Sequence, residues 1–120
     1  MPNHIVWADI PVIKLDRAIR FYSAVMGVQV ERVDYPGMSL GSFPHKDGEA
    51  AGCLYMSDTV KPSVDGALVY LNVHGRLDEA VEAVEPSGGK ILTPKESIGP
   101  FGFRAVVLDT EGNRIALHSM

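Results

Sequence analysis

Residues 12–27 read VIKLDRAIRFYSAVMG, and residues 73–86 read VHGRLDEAVEAVEP. In the first stretch Leu15, Ala18, Ile19, Tyr22 and Val25 recur at i, i+3, i+4, i+7 and i+10. In the second, Leu77, Ala80, Val81 and Val84 recur at i, i+3, i+4 and i+7. Both spacings lay an apolar stripe along one face of a helix. The stretches also share letters, a Val followed by Leu-Asp-x-Ala, at spacings one residue apart. Asp16 suits the positive end of the first helix dipole, and Gly27 is a natural stop. Glu85-Pro86 ends the second helix, because proline cannot continue the ladder.

Outward from each helix the period changes. His4 to Val12 is rich in β-branched and apolar residues and reads as a strand. After Gly27 come VQVERVD (28–34), a Tyr35-Pro36-Gly37 turn, MSLGSF (38–43), a polar turn PHKDGE (44–49) and AAGCLYMS (50–57). That order is a three-strand meander. Residues 58–66, DTVKPSVDG, hold two prolines and a glycine without periodicity and read as a linker. The same order then returns: ALVYLNV (67–73), the second helix, Ser87-Gly88-Gly89, KILTPK (90–95), GFRAVVL (102–108) and RIALHS (114–119). Asp109-Thr110-Glu111-Gly112-Asn113 joins the last two strands and reads as a hairpin turn in which Gly112 and Asn113 tolerate positive φ.

Each half is therefore a strand, a helix and three strands, a repeat of about 60 residues in which each copy needs its twin to bury a sheet face. A doubly wound parallel sheet, with strands and helices alternating singly, is excluded. The expectation is one α+β domain over residues 1–120, with module one about 1–57, linker 58–66 and module two about 67–120.

The chain has 120 residues, 46% of them hydrophobic and 22% charged, which is enough for one core and not for two. Net charge is −4 and the basic residues are scattered along the sequence, so no basic footprint for nucleic acid or an anionic membrane is expected. No apolar run is long enough to span a bilayer, and residues 1–12 lack the features of a signal peptide. A cytoplasmic protein is the resulting expectation. Cys53 is the only cysteine, which excludes an internal disulfide and a thiolate-only zinc site.

Leu15-Asp16-Arg17-Ala18-Ile19-Arg20-Phe21-Tyr22 closed by Gly27, the Gly88-Gly89 pair after the second helix, and Asp109-Thr110-Glu111-Gly112-Asn113 before the last strand occur in order. Together they resemble the vicinal oxygen chelate superfamily, which includes glyoxalase I, fosfomycin and bleomycin resistance proteins and extradiol dioxygenases. The spacing is most similar to a subgroup described as related to lactoylglutathione lyase. The resemblance covers nearly the whole chain. It implies tandem βαβββ modules whose curved mixed sheets surround a cleft, usually with a divalent metal. It also implies a homodimer, as small members usually pair.

In that family the metal is held by His on each module's first strand and by Glu or Gln on each module's last. The positions corresponding by resemblance are Trp7, Leu68 and Ala116, with Cys53 and Tyr55 as the polar candidates for the fourth. Trp, Leu and Ala side chains have no lone pair for a divalent cation, so no metal or other cofactor is expected. His4, three residues before Trp7, falls on the opposite strand face.

Strand alternation puts Leu68, Tyr70 and Asn72 toward the cleft and Val69, Leu71 and Val73 toward the helix. His118 shares a face with Ala116. Trp7 offers an indole for stacking and one N–H to donate. Asp9, Tyr55, Tyr70 and Asn72 are further ligand contacts, and Arg104 suits a substrate carboxylate or phosphate. Cys53 reads as a buried, inert thiol, and Phe21 and Tyr22 as core. The leading expectation is a protein that binds a small organic molecule in a mostly apolar cleft. The alternative is a lyase or isomerase related to lactoylglutathione lyase, with a non-standard site: His118, Asp9 or Tyr70 transferring a proton, or a metal held by histidines away from the usual positions. A regulatory or interaction module is the third reading.

Overall fold

The computed structural model describes residues 3–120. Module one runs β1 (Trp7–Pro11), α1 (Leu15–Met26), β2 (Glu31–Tyr35), β3 (Met38–Ser42) and β4 (Ala51–Tyr55). Module two runs β5 (Val69–Asn72), α2 (Leu77–Val84), β6 (Lys90–Ser97), a 3₁₀ turn at Gly99–Phe101, β7 (Phe103–Leu108) and β8 (Arg114–Ser119). Each module is a four-stranded mixed sheet, ordered β1-β4-β3-β2 and β5-β8-β7-β6. The first strand of each pairs in parallel with the last, and the other pairs are antiparallel. This is the expected α+β architecture of two βαβββ units. The sheets are not closed into a barrel, and no backbone ladder joins β1 to β5.

Both apolar stripes bury as their spacing predicts. Leu15, Ala18, Phe21, Tyr22 and Val25 of α1, and Leu77, Ala80 and Val84 of α2, are buried. Alternating strand residues meet them: Ile10, Leu54, Leu71, Ala105, Val107, Ile115 and Leu117 belong to the same cluster, so both modules share one core. Cys53, Val106 and Ala116 are buried too, but outside that cluster, on the sheet faces turned away from the helices.

Several boundaries differ from the sequence reading, among them those of β1, β2 and β6. β1 starts at Trp7, and His4, Ile5 and Val6 are exposed outside it. β2 starts at Glu31, because residues 27–30 finish the helix cap: Gly27 is left-handed at φ 69°, and the amides of Gly27 and Val28 donate to the Ser23 carbonyl. Val30 N donates to Ser23 Oγ. β6 extends to Ser97, with register shifts between Ile91 and Glu96, where Pro94 offers no amide to the ladder.

The Asp109–Asn113 turn is more than a hairpin. Gly112 alone there has positive φ (99°), while Asp109, Glu111 and Asn113 are buried and reach into module one. Glu111 Oε1 accepts from the backbone amides of Ile13 and Lys14 at 2.8 and 2.7 Å, and Arg17 Nε donates to its Oε2 at 2.7 Å. Tyr22 Oη donates to Asp109 Oδ2 at 2.5 Å, and Asn113 Nδ2 donates to the Pro11 carbonyl at 2.7 Å. The linker is stitched to the same turn: Ser63 N donates to Asn113 Oδ1, and Arg114 N donates to the Ser63 carbonyl. No helix among the described residues is long and apolar enough to cross a membrane.

Candidate functional site

On the outer sheet faces, away from the helices, strand register brings polar side chains into rows. In the first sheet Asp9, Cys53, Ser42 and Glu31 stand opposite one another across β1, β4, β3 and β2. In the second, Asn72, His118, Arg104 and Glu96 do so across β5, β8, β7 and β6. Sequence-distant residues thus become neighbours at the roughly 4.8 Å spacing of paired strands.

Trp7 is 40% exposed and its indole is held in place. Its Nε1–H donates to Asp9 Oδ1 at 2.9 Å, and the ring meets that of His45 edge-on, with centroids 5.4 Å apart. The expected donation from the indole to a ligand is therefore already spent on Asp9, and what the side chain presents is its ring. Cys53 Sγ donates to the same Asp9 oxygen at 3.3 Å. Burial, then the bond to Asp9, pushes that thiol up to about 11, so it stays protonated at neutral pH and is a poor nucleophile. Tyr55 is half-buried on the same face, next to Asp9's row.

In module two Arg104 is the organising group. Its Nε donates to Glu96 Oε1 at 3.0 Å and its Nη1 donates to Tyr70 Oη at 2.5 Å. The rings of Tyr70 and His118 pack at 6.2 Å. His118 Nε2 lies 2.7 Å from the Phe101 carbonyl, an acceptor, so Nε2 carries the proton and a neutral ring keeps its lone pair on Nδ1. Asn72 is exposed, with Oδ1 accepting from His74 N. Leu68 is half-buried just before β5, and Ala116 has no exposed surface.

Sequence reasoning singled out Trp7, Asp9, Tyr70, Asn72, Arg104 and His118 one by one, and the fold assembles them into two groups. Among the described residues no hydrogen bond or ring contact links the groups. A cavity of about 450 Å³ lies between the modules and touches both, with His45 from the first group and Tyr70 and Asn72 from the second. All of β5 lines it, as an unpaired sheet edge does. His45, Glu96 and Phe101 were missed. Two sit in turns without periodicity, and Glu96 lies one residue past the strand read as 90–95.

A divalent cation does not fit the positions that the family resemblance marks for it. The indole of Trp7, the isobutyl group of Leu68 and the methyl group of Ala116 are not donors, and the Cys53 thiol is protonated and bonded to Asp9. No three His, Cys, Asp or Glu side chains converge among the described residues.

The sequence profile of the Glyoxalase/Bleomycin resistance protein/Dioxygenase superfamily matches residues 2–117. No curated protein sequence matches the chain. Solved structures share its fold. A glyoxalase/bleomycin resistance protein from Albidiferax ferrireducens T118 superposes with a TM-score of 0.77 at 14% identity, over 98% of this chain and 99% of that one. The fosfomycin resistance protein FosX from Listeria monocytogenes gives 0.69 at 15% identity, over 100% and 95%. The trypanothione-dependent glyoxalase I of Leishmania major gives 0.67 at 22% identity, over 98% and 86%.

Proposed function

Because the chain belongs to the glyoxalase/bleomycin resistance protein/dioxygenase superfamily, we propose that it binds a small organic molecule on the outer sheet faces without a metal. One observation carries this reading. Large aromatic side chains stand exposed on both outer faces, Trp7 at 40% and Tyr70 at 46%, and each is fixed by a polar partner, Asp9 or Arg104. Exposed but immobilised rings give contact area at low entropic cost. Tyr55 and Leu68, both half-buried, extend the proposed apolar surface, while Ala116 is fully buried beneath it; a homodimer in a reducing, cytoplasmic setting is its proposed context.

A calorimetric screen of aromatic and aliphatic small molecules tests this. Trp7→Ala is expected to weaken any hit at least about tenfold. Binding that survives Trp7→Ala unchanged places the ligand elsewhere. Elemental analysis of protein purified without a His-tag or chelator is a second check. Stoichiometric zinc, nickel, iron or manganese overturns the metal-free reading.

The His118 tautomer favours a second reading, a lyase or isomerase. An imidazole whose Nε2 donates to the Phe101 carbonyl, packed against the Tyr70 ring whose hydroxyl accepts from Arg104, brings a base, a proton donor and a cation together. Isomerisation of the methylglyoxal–glutathione hemithioacetal is the direct assay. No turnover above background is expected, and turnover lost in His118→Gln establishes this reading instead.

A further inference from the structure

Resting on the reading that the outer faces bind a small molecule, we propose that the Trp7–Asp9 pair recognises planar cations, ligands with a positively charged aromatic or iminium group. The indole N–H is already satisfied by Asp9, so a ligand gains nothing from the polar edge of Trp7 and meets its π-face, to which a cation is attracted. Asp9 Oδ1 takes both the indole and the Cys53 thiol, and Oδ2 meets no donor among the described residues. A carboxylate oxygen beside a fixed ring is the pairing that a planar cation satisfies and a planar anion does not.

The surrounding charge agrees. Arg32 is the only Lys or Arg in β1 to β4, and it is on the helix side, paired with Asp16 and Asp34. The outer face of that sheet carries Asp9 and Glu31 and no Lys or Arg. The chain as a whole, at −4, adds long-range attraction of the same sign. The second sheet differs, because Arg104 stands on its outer face.

Trp7 is the only tryptophan, so emission excited selectively at tryptophan, beyond the tyrosine absorption, reports on this site. The experiment titrates N-methylquinolinium and, separately, 2-naphthoate at pH 8, where imidazoles are neutral, with calorimetry alongside. Saturable quenching by the quinolinium is expected, with naphthoate at least about tenfold weaker. Asp9→Asn keeps an oxygen acceptor for the indole and removes the charge. It is expected to leave the Trp7 emission maximum and near-ultraviolet circular dichroism unchanged while bringing the two probes to within about twofold.

Equal affinity of the wild-type protein for both probes overturns the charge preference while leaving small-molecule binding intact. Tighter binding of naphthoate, or quenching that rises linearly without saturating, overturns the inference altogether. An unchanged probe ratio in Asp9→Asn does so as well. The separate ligand screen with Trp7→Ala then decides whether the broader reading survives.

Discussion

Glu111 has no exposed side-chain surface, yet it carries a charge. Burial alone raises its pKa, but the bonds from Arg17, the Lys14 amide, Thr110 and the Ile13 amide outweigh that and hold the carboxyl at about 2. A carboxylate with a lowered folded pKa stabilises the fold above its unfolded value, and that contribution is lost as pH falls through the folded one. The window runs from about pH 4.5 down to about 2, and the amount at stake is about 3 kcal/mol. Urea denaturation between pH 7 and 2.5 is expected to show this loss, and Glu111→Gln to show a flatter profile from a less stable start. Tyr22→Phe removes a buried bond to Asp109 and is expected to cost about 1–2 kcal/mol, read from the same denaturation curves at pH 7.

At the scale of elements, α1 is held at both ends by the other module, in addition to its own Gly27 cap. Its N-cap residue Lys14 makes no side-chain cap bond, and Glu111 instead holds the amides of Ile13 and Lys14 just before the first turn. At the other end Arg76 Nη1 donates to the Val25 carbonyl at 2.7 Å. Asp16, expected to serve the helix dipole, is also exposed and paired with Arg32. The approach of α1 to β6 depends on Gly89. A Cβ there would lie 2.5 Å from the Leu108 carbonyl oxygen and 2.6 Å from Phe21 Cε1. Gly89→Ala is therefore expected to destabilise by about 2–3 kcal/mol, measured as a lowered denaturation midpoint at unchanged m-value. A rise or no change in that midpoint would show that the strand can shift aside.

For the whole molecule, one core and a seam of buried hydrogen bonds bind the modules into a single cooperative unit. Far-ultraviolet circular dichroism and Trp7 emission are expected to report coincident unfolding transitions. A fragment of residues 1–57, deprived of its caps for α1 and of half the core, is expected to show no cooperative transition. Analytical ultracentrifugation tests the proposed homodimer.

The repeat was legible in the sequence because its causes are local. A stripe at helical spacing buries as a stripe, alternation puts Leu71 and Val73 inward and Tyr70 and Asn72 outward, and Gly27 ends a helix wherever the chain goes. The chemistry of single positions was legible as well, since Trp7, Leu68 and Ala116 lack metal donors in any fold. What only the tertiary structure decided was which side chains meet. Asp9 against Trp7, Arg104 against Glu96 and Tyr70, and Glu111 on the amides that lead into α1 are products of strand register and module packing. The turn from Asp109 to Asn113 shows the difference well. Its letters describe a tight turn, but the burial of its three polar side chains follows from a neighbour about 90–100 residues away in sequence, whose amides, carbonyl and hydroxyl they pair with.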